Sequence, residues 1–363
     1  MLKILVITKR QYTNKDLLDD RFGRLRELPL ELALKGHKVY GLCLSYQIKE
    51  EEKIFDGPVE WQSINVGKLK VLGLLKFIKR AMQAAPKVDV IWACSDSIYG
   101  IIGSMLSLKY SIPLVFDLYD NFEYFLMARL PVIKQLYHWT VRNSDALTCV
   151  SWPLARLMIS YRKNKRVFVL ENAVQKNLFK PLDKTACLKA LGLSQDVRFV
   201  GTAGVLDKNR GTQFLLQAFD KIKGKYPDLH LLLAGPCNLH IPGDNRIHYM
   251  GMLPLEKVPL FLNALEVSLI CNRKNMFGKY CFPQKAREIM ACDIPLIATR
   301  VGSMAEFFKD HPEWLFAPDD VSDLTRVLEN RLQDRRTDYK NVLSWSDVAT
   351  ELEKIFISLS KHQ

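Results

Sequence analysis

No apolar run in these 363 residues approaches the roughly 20 needed to cross a bilayer. The eight cysteines (Cys43, Cys94, Cys149, Cys187, Cys237, Cys271, Cys281, Cys292) are scattered without a Cys-x-x-Cys pair, and the seven histidines show no ligand spacing. A structural metal and a disulfide framework are therefore not expected. Most cysteines sit in apolar context, as in Thr148-Cys149-Val150, and read as small buried hydrophobes in a reducing compartment. Met1–Ile7 runs straight into a strand-like stretch and lacks the segments of a signal peptide, which predicts a cytoplasmic protein. A dehydrogenase needs Gly-x-Gly-x-x-Gly after its first strand, whereas Thr-Lys-Arg-Gln-Tyr-Thr-Asn follows Ile7. No basic and aromatic module such as the ribonucleoprotein motif is present, which argues against a nucleic-acid partner. Nor is there an Asp-x-Asp triplet to hold a metal on a phosphate.

What the chain has is length, ordinary globular composition and positive charge. At 363 residues two domains are the natural prior, and 48% hydrophobic with 25% charged residues argues against extensive disorder. The net charge of +13 favours polyanionic partners: nucleic acid, anionic lipid or phosphorylated substrates.

The first half alternates short apolar runs with helical periodicity. Lys3–Ile7 and Lys38–Leu44 read as strands flanking a helix over Phe22–Leu34, where Leu25, Leu28 and Leu32 recur at helical spacing. Val88–Ala93, Pro113–Phe116, Ala146–Val150 and Val167–Leu170 are further strand candidates. The second half repeats the rhythm: a strand at Phe199–Gly201, a helix over Gly211–Phe219, strands at His230–Ala234, Val267–Ile270 and Pro295–Ala298, and a helix over Lys285–Cys292. Such alternation predicts two Rossmann-like, doubly wound α/β domains with parallel sheets. The expected division is 1–172 and 173–345, with a terminal helix over 346–363 packing back on the first domain. In such sheets ligands bind beyond the carboxyl ends of the strands, and two edges facing across a cleft suit two substrates.

The segment Phe282–Gly302 (Phe-Pro-Gln-Lys-Ala-Arg-Glu-Ile-Met-Ala-Cys-Asp-Ile-Pro-Leu-Ile-Ala-Thr-Arg-Val-Gly) resembles the helix, turn and strand of the GT-B glycosyltransferases of family 4, where Glu-Ala-Met-Ala-Cys-Gly-x-Pro-Val-Val-Ala-Thr is typical. Gly201–Gly211 is similar to that family's phosphate-binding turn. Leu170–Val174 followed by Phe179-Lys-Pro181 resembles its hinge, and Gly251 with Val258–Ile270 fits a further helix and strand. Gly36–Val39 and Ser144–Ala146 extend a weaker match into the first half. The resemblance implies the GT-B fold and transfer of a sugar from a nucleotide-diphosphate donor to a glycan or lipid-linked acceptor. It also implies retention of configuration, no cofactor and no metal; a bacterial surface polysaccharide is an acceptor suggested by fold analogy.

Departure of a nucleoside diphosphate leaves negative charge that something positive must meet. Arg210, with Gly211 at a helix start, and Lys285 are the candidate cations. Glu288, three residues after Lys285, is implied by the resemblance to accept hydrogen bonds from the donor ribose. Gly204 belongs to the phosphate turn, and Gly302 and Ser303 to a loop whose backbone approaches the donor; a Ser303–Glu306 capping box is the competing reading. The family's usual first carboxylate is Tyr280 here, and its frequent arginine before the phosphate turn is Val205. Asn172 either faces the ligand at the hinge or satisfies a turn.

In the first domain Asp117-Leu-Tyr-Asp-Asn-Phe-Glu123 follows a strand, so Asp117 or Asp120 is expected to polarise the acceptor hydroxyl, an Asx turn being the alternative. Gly23 admits close backbone approach and Arg24 offers a phosphate ligand or a surface charge. Residues 68–83 form a basic amphipathic pattern: Val71, Leu74, Leu75, Ile78 and Met82 on one side, Lys76, Lys79, Arg80 and Gln83 on the other. That suits an anionic membrane surface, or equally a helix packed on the sheet. Tyr161–Arg166 is a second basic run, read as a solvated loop. A sugar epimerase of the same fold and a degenerate transferase kept as a binding partner are the remaining alternatives.

Overall fold

The computed structural model describes residues 1–12, 15–49, 51, 53–163, 165–340 and 342–360, with the backbone alone for 126 and 127. Asn164 of the second basic run and residues 361–363 of the terminal segment lie outside the described residues. The chain divides into two compact units, Met1–Glu171 with Trp345–Gln363, and Asn172–Ser344.

The first unit is built on an eight-stranded sheet. Its strands are β1 (Lys3–Lys9), β2 (Lys38–Ser45), β3 (Lys53–Asp56), β4 (Val59–Asn65), β5 (Val90–Ala93), β6 (Leu114–Leu118), β7 (Ala146–Cys149) and β8 (Val167–Val169), in the spatial order β8-β7-β6-β5-β1-β2-β4-β3. All pairs are parallel except the β3–β4 hairpin at the edge. Ile4–Ile7 at its centre are almost wholly buried, as expected of strands covered on both faces. The helices are α1 (Arg24–Leu34), α2 (Lys70–Ala84), α3 (Ser97–Tyr110), α4 (Pro131–Asn143) and α5 (Trp152–Tyr161). The final helix, Trp345–Ser360, packs on α1. It buries Val348, Leu352, Ile355, Phe356 and Leu359, and His37 Nε2 lies 2.9 Å from Glu353 Oε1.

Helix α2 departs from the expected facing. Gly73, Phe77 and Ala81 are buried, whereas Val71 and Leu75 stand in solvent. Gly73 sets this register: a Cβ there would collide with the Val66 backbone, so the helix docks on its smallest residue and the larger Phe77 follows at i+4. Arg162, expected in a solvated loop, is buried, and its guanidinium donates to the carbonyls of Val141 (2.5 Å) and Ser144 (2.7 Å).

The second unit carries six parallel strands: β9 (Arg198–Ala203), β10 (Leu229–Ala234), β11 (Ile247–Tyr249), β12 (Leu265–Ile270), β13 (Leu296–Thr299) and β14 (Leu315–Phe316), ordered β11-β10-β9-β12-β13-β14. Its helices are α6 (Lys184–Ala190), α7 (Thr212–Ile222), α8 (Val258–Asn263), α9 (Met276–Tyr280), α10 (Gln284–Ala291), α11 (Gly302–Phe307) and α12 (Val321–Gln333). Leu215, Phe219, Leu231, Leu269, Leu324 and Leu328 form a continuous apolar core between sheet and helices. The strand order reverses beside β9, which places a ligand edge at its carboxyl end.

Candidate active site

At that edge β9 ends in Thr202 and Ala203, and the chain turns at Gly204 with φ of 121°. A side chain is strained in that conformation. The next loop touches the turn, because a Cβ on Gly235 would collide with the Gly204 carbonyl. Arg210 and Gly211 lead into α7. Gly211 has φ of 64° and caps the helix, and a Cβ there would meet the Cys271 carbonyl oxygen. Glycine is therefore required twice in one turn, once for conformation and once also for space. The eleven-residue α7 begins two residues after Arg210, so the positive end of its dipole lies at this turn, with Thr212 N held by the Asp207 carbonyl and Phe214 N by that of Gly211.

Lys285 reaches this turn from α10. Its ammonium donates to Thr202 Oγ1 at 3.1 Å and to the Ala203 carbonyl at 3.4 Å. Burial pushes its pKa down to about 8, and the Arg210 charge adds to the effect, while Cys271 and Glu288 oppose it. Two cations thus lie within electrostatic reach of each other, a repulsion that a bound anion relieves. The Arg210 guanidinium sits 5.0 Å over the Phe277 ring, and Asp207 Oδ2 holds its Nη1 at 2.7 Å.

Glu288, one turn beyond Lys285, is buried and accepts from Gln284 Nε2 at 2.9 Å. Burial raises its pKa to about 7, against the pull of Gln284 and Lys285. Asn172 Nδ2 donates to the Phe282 carbonyl at 2.9 Å, just before α10, and its buried Oδ1 has no hydrogen-bond partner among the described residues. The turn reading accounts for only one end of that amide.

Tyr280 is buried at the end of α9. Gly302 lies beside it in the fold, with φ of 54° and a would-be Cβ only 2.5 Å from the Gly278 carbonyl. The capping box does not form: Val301 holds the cap position, and Ser303 Oγ instead donates to the Cys281 carbonyl at 2.6 Å. The structure thus gathers Gly204, Arg210, Gly211, Lys285 and Glu288 at one sheet edge and ties Asn172 and Ser303 to residues flanking α10.

In the first unit two expectations need correction. Arg24 and Asp117 are wholly buried and bind each other through Nη2–Oδ1 at 2.7 Å and Nε–Oδ2 at 2.9 Å. Thr148 Oγ1 also donates to Asp117 Oδ1 at 2.6 Å. Asp117 is therefore enclosed, not presented to an acceptor, and Arg24 is neither a surface charge nor a phosphate ligand. Asp120 remains half-buried at the carboxyl edge, accepting the Asn121 amide at 2.7 Å. Asn121, not Asp120, makes the Asx turn, accepting from Glu123 N at 3.2 Å. Gly23 caps α1 with φ of 83°, its missing side chain leaving room for the Tyr12 ring.

Several residues at these edges carried no signal strong enough to single them out. Lys9 ends β1 with its ammonium 5.6 Å from the Tyr119 ring centre, and burial lowers its pKa against the neighbouring Asp96 and Asp120. Ser95 beside it has φ of 100° and is fully buried, strain of a kind that collects at functional edges. Thr202, Asp207 and Phe277 were also silent, since contacts across a fold leave no spacing. All eight cysteines are free, and among the described residues no three His, Cys, Asp or Glu side chains converge as a metal site.

The family of Glycosyl transferases group 1 matches residues 195–334, and Glycosyltransferase Family 4 matches residues 24–177. An uncharacterized glycosyltransferase of Methanocaldococcus jannaschii is 25% identical over 291 residues, covering 75% of this chain and 76% of that protein. The N-acetyl-alpha-D-glucosaminyl L-malate synthase of Bacillus anthracis is 27% identical over 56% of this chain and 53% of its own length. The match thus spans about half the length of several curated relatives. Among solved structures, sucrose-phosphate synthase of Thermosynechococcus elongatus superposes with a TM-score of 0.81 at 19% identity, covering 100% of both chains. The Anabaena protein HepE in complex with UDP superposes at 0.69 with 16% identity, over 99% of this chain and 98% of that one. With both halves of the chain matched in order, it belongs to the glycosyltransferases of GT-B fold, in the group 1 and family 4 class.

Proposed function

We propose that the chain transfers a sugar from a nucleotide-diphosphate donor to a glycan or lipid-linked acceptor, with retention and without a metal. The observation that carries this reading is Lys285 crossing from α10 to the turn after β9, 3.1 Å from Thr202 Oγ1, where it meets the field of Arg210. As the sugar–oxygen bond breaks, the electron pair stays on the departing diphosphate. Lys285, Arg210 and the positive end of α7 neutralise that charge, the work a divalent cation does elsewhere.

Glu288 accepts hydrogen bonds from the ribose, and Asn172 Oδ1 supplies a further acceptor. Gly204, Gly211, Gly302 and Ser303 bring backbone close to the donor, with Tyr280 in place of a carboxylate beside the sugar. In the first unit Asp120, supported by Lys9 and Asp96, orients the acceptor hydroxyl. Gly23 leaves the backbone accessible there, and Asp117 positions the edge through Arg24. That HepE has been crystallised with UDP and with UDP-glucose supports a nucleotide-sugar donor of this kind.

The test is release of nucleoside diphosphate from a panel of nucleotide sugars, with and without acceptor. Lys285→Ala is expected to lower kcat/KM at least about tenfold, the loss of one transition-state contact. Near-parental kinetics would remove the assignment.

A further inference from the structure

We infer that one helical face of the first unit is a docking surface for an anionic lipid bilayer. The topology defines the face. The connections β5–α3–β6, β6–α4–β7 and β7–α5–β8 all step in one lateral direction along the sheet, as does β4–α2–β5, whereas β1–α1–β2 steps the other way. Right-handed crossovers then place α2, α3, α4 and α5 together on one side and α1 on the other. The packing agrees: α3 contacts both α2 and α4, α4 contacts α5, and α1 contacts the final helix.

The two sides differ in charge. Helices α2 to α5 contain eight Lys or Arg residues and no Asp or Glu. Helix α1 and the final helix carry Glu27, Glu31, Asp347, Glu351 and Glu353 against Arg24, Arg26 and Lys354, a balance that is acidic where the other side is basic. Among the described residues the carboxylates that reach the basic side from loops include Glu51, paired with Lys76, Glu123, 3.2 Å from His138, and Asp96, which caps α3. Lys70 and Lys79 form no ion pair among the described residues, and Arg80 shares the field of Glu51 with Lys76.

The same side exposes apolar groups that the fold does not use. Helix α2 docks through Gly73, Phe77 and Ala81, leaving Val71 70% and Leu75 55% exposed between its lysines. Helix α4 docks through Tyr137 and Val141, leaving Val132 67% and Trp139 39% exposed. Leu108 at the end of α3 is 68% exposed beside Lys109. A polyanion in water gains nothing from aliphatic side chains standing among the cations. A bilayer rewards both, cations at the headgroups and Val, Leu and Trp at the acyl boundary. No helix of the described residues is long and apolar enough to cross a membrane, so the contact is with its surface.

The test is independent of the donor chemistry. The full chain is sedimented with vesicles of phosphatidylcholine alone, or of phosphatidylcholine mixed with phosphatidylglycerol. Binding to the mixed vesicles is expected to be at least about tenfold tighter, and to be lost near 0.5 M salt, where screening reaches only a few ångströms. Lys70→Glu with Lys79→Glu, and separately Val71→Ser with Leu75→Ser, each lower it at least about fivefold. Glu351→Lys with Glu353→Lys on the other side leaves it within about twofold. All six positions are at least partly exposed, and circular dichroism verifies that each variant is folded. Equal binding to both vesicle types would overturn the proposal. So would duplex DNA of random sequence held as tightly as the mixed vesicles, or self-association abolished by Leu75→Ser in a chain that ignores vesicles.

Discussion

Arg24 and Asp117 meet fork to fork in the interior of the first unit, and the spare nitrogen of the same guanidinium, Nη1, donates to the Leu170 carbonyl at 2.8 Å. One side chain thereby joins the start of α1, the end of β6 and the segment following β8. Breaking such a pair strands a buried charge. Arg24→Ala and Asp117→Ala are each expected to destabilise the chain by about 3–5 kcal/mol in urea unfolding. Replacing both with apolar residues of similar volume recovers most of the loss. A single variant within about 1 kcal/mol of the parent would show that the pair does not hold the unit.

On the proposed reading, Glu288 is a carboxyl kept for a ligand at the expense of the empty fold. Burial raises its pKa from 4.5 to about 7, so the folded chain holds that proton more tightly than the unfolded chain. Its contribution to stability is largest below about 4.5 and is lost as pH rises through about 7. Glu288→Gln removes that slope. Thermal unfolding at pH 8 is expected to rise by a few degrees while donor affinity falls at least about tenfold. A variant less stable than the parent at pH 8 would contradict the assignment.

Lys285 sets an upper pH limit. With its pKa pushed down to about 8, the ammonium is lost from the free enzyme as pH rises past that value. The pH profile of kcat/KM should therefore fall above about 8, and Lys285→Arg should keep part of the activity to higher pH because a guanidinium does not titrate there. The stability of the empty chain moves the other way, gaining between about 8 and the ordinary 10.5 as the burden of a buried charge disappears. A profile flat to pH 10 would remove Lys285 from the phosphate site.

On the proposed reading, Lys285 and Arg210 take the place of a divalent ion at the diphosphate. Excess chelator is expected to leave the transfer rate within about twofold of its starting value. A rate restored only by added magnesium or manganese would overturn the metal-independent reading.

Much of the fold was legible because buried parallel strands announce themselves as short apolar runs. Ile4–Ile7, Leu231–Leu233 and Ile297–Ala298 needed no partner information to be placed in a core. The turn after β9 was legible for a different reason, its resemblance to a phosphate-binding turn; the backbone demands that Gly204 and Gly211 answer are seen only in the structure. What resisted reading depends on contacts distant in sequence. The facing of α2 is decided by Gly73 against Val66, not by where its leucines fall. Asp117 resembles a reactive carboxylate in its own neighbourhood and becomes a structural one only when Arg24, ninety-three positions earlier, folds onto it. Thr202 is likewise silent until Lys285 arrives from a helix 83 residues later.

The path of the backbone also orders events on the ribosome. The first unit lacks its last helix until Trp345–Ser360 has been synthesised, long after the second unit is complete. Until then the flank of α1 that this helix covers is open to water and to chaperones, so the later-made unit should become native first. Release of a nascent chain stopped before Trp345 would yield one finished lobe attached to one that still exposes apolar surface.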